Sequence, residues 1–423
     1  MKLNGRVTDA LDFFRGLEPH ALTAEYGSPL YVYNERIFRK SCRDMKNLCG
    51  YPLFQVNYSV KANCNLSLLK IAREEGMRAD ATSEGEAVAL LSAGYGPDEI
   101  FYVVNNVSPG ELRFAIDKKI NVSVDSLSQL ETFGRINPGG KVSVRFNPGI
   151  GGGHHEKVVT GGDKTKFGVN ESLIPEVKKI LAEYDLKLIG INQHIGSLLM
   201  DSALYMAGVQ NLMSIARHFD DLEFIDLGGG FGVPYHKQQN EPPLDLPALG
   251  DSLTRYMHDF SRAYGKELLF MVEPGRYIPA ESCVLLGTVH AMKNNGFNRY
   301  AGTDIGFTVL ARPMLYGSHH DVEVYREDSK VRPRDAEHYE MVNIVGNMCE
   351  SGDYIARERM LPALTEGDVI GILDAGAYGY AMSSQFNHRL RPAEILLRED
   401  GSVKKIRRRD TYEDLSRNMT FED

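Results

Sequence analysis

Between residues 27 and 275 the chain keeps returning to one unit: a short apolar run, a loop, then an amphipathic stretch. Residues 120–124, 141–146, 186–191, 222–227 and 268–272 are apolar runs, and 84–93, 109–117 and 202–218 carry helical periodicity. Apolar strands that alternate with helices indicate parallel pairing, because parallel neighbours need a crossover and the crossover buries the sheet. Repeated right-handed crossovers predict an α/β fold, a (β/α)8 TIM-like barrel over residues 27–275. A doubly wound open sheet is the other arrangement of the same units. From 276 to 423 the texture changes. Residues 284–290, 341–345, 369–373 and 393–397 are short β-rich runs divided by Gly, Asp and Pro. They predict a separate, mostly antiparallel C-terminal β domain, which the N-terminal segment 1–26 is expected to join.

With 43% hydrophobic and 25% charged residues the 423-residue chain has the composition of a globular protein. A formal net charge of −9 argues against a broad nucleic-acid surface. The basic run at 404–409 reads as a solvated strand end. No apolar stretch reaches the roughly 20 residues of a membrane helix, and the N-terminus lacks a signal-peptide core. Cys42, Cys49, Cys64, Cys283 and Cys349 are scattered with no CxxC spacing, which fits reduced thiols in a cytoplasmic protein. Residues 238–246, with Pro242 and Pro243, read as a surface loop. The glycine-rich segment 149–163, with His154 and His155, reads as a loop at the barrel mouth.

Chemistry-bearing residues gather where strands end. Lys61, in YSVKAN, closes an apolar run, where partial burial would lower its pKa and favour attack on an aldehyde; a solvated lysine is the plain alternative. After the run at 222–227 come Gly228, Gly229 and Gly230, which let backbone N–H groups approach an anion; a tight turn is the plain alternative. Neither a P-loop nor a dinucleotide fingerprint fits the spacing. A second glycine turn, Glu273-Pro274-Gly275-Arg276, ends the run at 268–272. His194-Ile195-Gly196-Ser197 ends another, and its histidine suits a flat ring packed on a cofactor or a satisfied structural residue. In the second domain Cys349-Glu350-Ser351-Gly352-Asp353 lacks the Cys or His pair that a metal site would need. Ala375-Gly376-Ala377-Tyr378-Gly379 presents a tyrosine on a small-residue turn.

YSVKAN, HIGS, GGGFG, EPGR, CESGD and AGAYG, in that order and spacing, resemble the alanine-racemase-like, fold-type-III decarboxylases that use pyridoxal 5'-phosphate (PLP). The resemblance runs from about residue 28 to residue 398. Arg312-Pro313-Met314-Leu315-Tyr316, Glu350 and the stretch Phe386 to Glu394 are most similar to the diaminopimelate decarboxylases. The resemblance implies that Lys61 carries the cofactor, that His194 stacks on its ring and that Glu273 pairs with the ring nitrogen. Gly229, Gly230, Gly275, Ser197, Arg276 and Tyr378 would hold the phosphate, with Asp80 and Arg145 nearby. Cys349 would be the proton donor, reaching with Glu350 and Asp353 across the interface of a homodimer. Arg276, Arg312, Tyr316, Glu350, Asp353 and Tyr378 would bind an amino-acid substrate.

The implied reaction is decarboxylation of the D-centre of meso-2,6-diaminopimelate to L-lysine and CO2. A relative acting on D-lysine, D-ornithine or a siderophore or polyamine precursor is the alternative. A racemase would carry an arginine where Glu273 stands, and an inactive regulatory relative would not need both Lys61 and Cys349. Three positions depart from the common pattern: Asn192 replaces a histidine, Phe386 a tyrosine and Leu390 a proline.

Overall fold

The computed structural model describes residues 6–153, 155, 160–162, 165–326 and 338–420. The chain divides into two compact units, one of residues 39–233 and 243–278, the other of 1–38, 234–242 and 279–423.

The first unit is a closed barrel of eight parallel strands. In sequence they are Phe54–Ser59, Arg78–Ala81, Ile100–Val103, Asn121–Val124, Lys141–Asn147, Lys187–Asn192, Phe224–Asp226 and Leu269–Val272. Each pairs with the next, and Val272 pairs back onto Val56. That last register excludes the open sheet. Helices start where the sequence supplies caps: Ser83 accepts from the Glu86 N–H, Ser126 from Gln129, and Ser108 forms a reciprocal box with Glu111. Such caps are worth about 1 kcal/mol each. Their apolar faces close the barrel's outside; helix Leu66–Glu74 alone buries Leu68, Leu69, Ile71 and Ala72. A cluster of Phe101, Val103, Ile189, Phe224 and Met271 fills part of the interior. His154 and residues 156–159 and 163–164 of the glycine-rich loop lie outside the described residues.

The second unit is built on a mixed sheet of nine strands among the described residues. Most pairings are antiparallel, but Leu30–Asn34 runs parallel to Ala393–Leu397, and Arg299–Thr303 parallel to Tyr339–Val345. Leu30–Asn34 falls inside the span expected to be barrel. It lies instead at the centre of this sheet, between Cys283–Asn294 and Ala393–Leu397. The first barrel strand is therefore Phe54–Ser59. Val7, Phe13, Phe14 and Leu22 from the N-terminal segment pack into the core of the same unit.

Residues 238–246 are mostly exposed, as the surface-loop reading expects, and just before them the largely buried Lys237 ammonium meets Glu281 at 2.7 Å and also pairs with Asp374. Gln238 N–H donates to Asp321 at 2.9 Å. The basic run forms an edge strand, Val403–Arg407, and its end, with Lys404, Lys405 and Arg408 exposed as a solvated strand end should be; Arg407 pairs with buried Glu394, and Arg408 with Asp414 at 2.8 Å.

Candidate active site

Parallel strands closing in a ring aim their C-terminal ends at one face, and there the barrel gathers its polar side chains. Lys61 sits in a single turn, Val60–Ala62, directly after Phe54–Ser59. Register puts Ser59 beside Asp80 on the next strand. The Lys61 ammonium accordingly lies 3.3 Å from Asp80 Oδ2 and 3.4 Å from Ser59 Oγ. Burial pushes the Asp80 carboxyl up, and the Lys61 charge opposes that shift. The pair holds the amine in place within the site.

Arg145 is buried, with its guanidinium 4.7 Å from the Phe167 ring centroid. Burial lowers its pKa, and Glu273, Asp125 and Asp80 pull the other way. Asn192 stands level with it on the adjoining strand. Its Oδ1 accepts from Ser123 Oγ at 2.6 Å, while Nδ2 is buried with no acceptor among the described residues. The histidine-to-asparagine departure thus leaves a neutral donor in the barrel.

His194 follows the same strand. Its Nδ1 accepts the Gly229 N–H at 3.3 Å. Burial, then the charges of Lys61 and Arg145, hold its pKa well below the usual value. The ring is neutral and flat, suited to stacking. Ser197 Oγ accepts from the Arg276 guanidinium at 2.6 Å, so two residues expected at the phosphate are in contact. Gly275 is buried between Pro274 and Arg276.

The glycines have steric reasons. A Cβ on Gly229 would lie 2.0 Å from the Glu273 carbonyl oxygen, and Gly230 has φ +115°, a region costly for any other residue. Glu273 is buried, and its Oε1 meets no donor among the described residues. Burial pushes its carboxyl well up, reinforced by Asp226 and Asp80 and opposed by Lys61 and Arg145. Asp226 is a third buried carboxyl, raised to about 7. It stands two residues before the first glycine, and nothing in the motif itself assigned it a role.

The second unit holds the remaining expected residues. Tyr378 is half-buried at φ +57°, four residues after Asp374, the partner of Lys237. Arg312 opens a short helix, Arg312–Tyr316. It is fully buried, 2.7 Å from His320 Nε2 and over the Tyr235 ring at 4.5 Å, so its guanidinium is fixed in advance. Tyr316 is half-buried. Cys349 and Glu350 are exposed, and Asn387 Nδ2 donates to the Cys349 sulfur at 3.1 Å. The two oxygens of Asp353, which the resemblance places at the substrate, accept the Phe307 and Met348 N–H groups at 2.6 and 2.9 Å. That carboxylate organises the loop carrying Cys349.

The sequence model of the pyridoxal binding domain of pyridoxal-dependent decarboxylases matches residues 35–280. The diaminopimelate decarboxylase of Methanothermobacter thermautotrophicus is 43% identical over 411 residues, covering 95% of this chain and 94% of the relative. The chain belongs to the pyridoxal-dependent decarboxylase family. Within that family the Escherichia coli diaminopimelate decarboxylase is 33% identical, covering 93% of this chain and 94% of its own. Among solved structures, the Helicobacter pylori diaminopimelate decarboxylase complexed with L-lysine superposes with a TM-score of 0.85 at 30% identity, covering 94% of this chain and 98% of that one. A lysine/ornithine decarboxylase from Vibrio vulnificus, at 21% identity and a TM-score of 0.76, shares the fold.

This decarboxylase family uses PLP, and the site fits that group. A primary amine stands beside a buried carboxylate. A glycine turn has no room for side chains. Glu273 Oε1 and Arg145 Nη2 are buried polar atoms without partners among the described residues.

Proposed function

We propose that this chain decarboxylates the D-centre of meso-2,6-diaminopimelate to L-lysine and CO2, with PLP on Lys61. The observation that carries the reading is Lys61 set on Asp80, in a barrel whose late strands end in the glycine turn and in buried Glu273. The names of the relatives supply the substrate. When bound, the cofactor supplies an electron sink for the pair left behind by departing CO2.

The residues divide the remaining work. Lys61 would hold the cofactor by its amine. Asp80 keeps the Lys61 amine oriented. Glu273 holds a proton at the ring nitrogen. His194, neutral and flat, packs against the ring. The glycine N–H groups, Ser197 and Arg276 bind the phosphate. Cys349 of the partner subunit returns a proton to the substrate carbon, and Glu350 of the partner subunit meets the distal ammonium. Arg312 and Tyr316 meet the distal carboxylate. The chain thus works as a homodimer. No described helix is long and apolar enough to cross a membrane, and we assign the protein to the cytoplasm.

The direct test is CO2 release from a panel of meso- and D-amino acids; release from none of them removes the proposal. Two further results are expected. Glu273→Gln should bind cofactor but lose about 10²–10³-fold in turnover, because the lost charge acts on the transition state. Unchanged turnover would show that Glu273 does not serve the ring nitrogen. Mixing inactive Lys61→Ala with inactive Cys349→Ala should restore up to about a quarter of wild-type activity, since half of the statistical dimers are hybrids with one intact site of two. Subunit exchange without recovered activity would place Cys349 outside the partner's site.

A further inference from the structure

We propose that Asp226 is a positioning residue for Glu273: its carboxyl, protonated, donates to the Glu273 carboxylate and holds the second Glu273 oxygen towards the ring nitrogen of the cofactor. The proposal rests on the cofactor reading above.

The two groups come from adjacent barrel strands. Asp226 pairs in register with Met271, and Glu273 follows two residues later. Both are buried, at 0% and 3% exposure. Asp226 Oδ1 is spent on the Gly228 N–H at 2.9 Å. The Gly228 carbonyl in turn accepts from the Glu273 N–H at 3.0 Å and from Tyr205 Oη at 3.1 Å. The glycine turn thus locks the two strand ends together. Each of the two buried carboxyl groups is acted on by the charge of its neighbour. Yet Asp226 Oδ2 and Glu273 Oε1 meet no N–H or O–H donor among the described residues. A hydrogen bond between two carboxyl groups needs a proton on one of them. Two ionised carboxylates buried side by side would repel without compensation.

Burial and mutual charge raise both groups, Asp226 to about 7 and Glu273 well above its usual range. Asp80 adds to the repulsion, while the cations of Lys61 and Arg145 relieve part of it. His194 is neutral, and Tyr205 is held protonated by burial. The pair therefore keeps one proton near neutrality and titrates as a unit. A protonated ring nitrogen draws the negative charge onto Glu273, and the shared proton then rests on Asp226. One proton is held throughout, and none has to leave the barrel.

A purely structural Asp226 would need only its acceptor for Gly228. Asp226→Asn keeps that acceptor and makes the donor permanent, whereas Asp226→Ala removes both. Asp226→Ala is expected to lower kcat about 10- to 100-fold, the usual scale for a group that orients a reacting residue, with little change in KM. Asp226→Asn should restore most of that loss. Equal loss in the two variants overturns the proposal.

The second readout is urea unfolding of the full-length chain before cofactor loading. Raised pKa values mean that the folded state holds protons which the unfolded chain releases. The contribution is full below about pH 4 and lost as pH rises through about 7. The difference between wild type and Asp226→Asn should fall across that window. Superimposable pH profiles overturn the proposal whatever the kinetics show. Borohydride reduction of the loaded wild type judges the cofactor reading separately: no adduct on Lys61 removes that reading, while the unfolding profiles still decide whether the pair shares a proton.

Discussion

Lys61→Ala is expected to abolish turnover, by more than about 10⁴-fold, and to leave a folded barrel that takes up PLP weakly. The size follows from losing the residue proposed to carry the reacting group, a loss that binding energy from the rest of the site does not replace. The fold should survive, because the Lys61 side chain is 32% exposed and its partners are Asp80 and Ser59 rather than the apolar core. Removing the ammonium also strips Asp80 of its nearest cation, so the variant's Asp80 should bind a proton more readily. Purified wild type should show a visible absorbance band that borohydride bleaches, and peptide mapping should place the reduced adduct on Lys61. Adduct on another lysine, or full activity in the alanine variant, would remove the central assignment.

The second large effect is in substrate choice. A site built to hydrogen-bond a distal carboxylate leaves buried charges unpaired when given an analogue without one. meso-Diaminopimelate should therefore be preferred over D-lysine by a factor on the order of 10⁴ in kcat/KM. Arg312 makes the prediction sharp. It is fully buried and already fixed by His320 and Tyr235, so little ordering is needed when a carboxylate arrives. Arg312→Ala should hurt turnover of meso-diaminopimelate severely and that of D-lysine little. Better turnover of D-lysine or D-ornithine would give Arg312 another task and favour the alternative substrate class.

The barrel was legible in the sequence because parallel strands are apolar along their whole length and their crossovers carry caps at the expected places. What the apolar runs do not encode is the sheet they join. Leu30–Asn34 has the same texture as a barrel strand and sits in the other unit, since only its partners at 283–294 and 393–397 distinguish it. In the site, Lys61, His194, the glycines and Glu273 were legible through motifs at strand ends. Asp226 was not, because a carboxylate before a glycine turn becomes unusual only when a second buried carboxylate is known to face it.

The central place of Leu30–Asn34 has a consequence for how the molecule is made. This strand leaves the ribosome early, but its two neighbours belong to the last third of the chain. All eight barrel strands are complete by Val272, so the barrel can close while Leu30–Asn34 still presents two unpaired edges. Unpaired strand edges are where chains stick to one another, and pairings so distant in sequence form slowly. Interrupted synthesis beyond the barrel, or slow arrival of Ala393–Leu397, should therefore divert this protein into aggregates seeded by Leu30–Asn34, and a holding chaperone that covers residues 30–34 should raise the yield of folded chain.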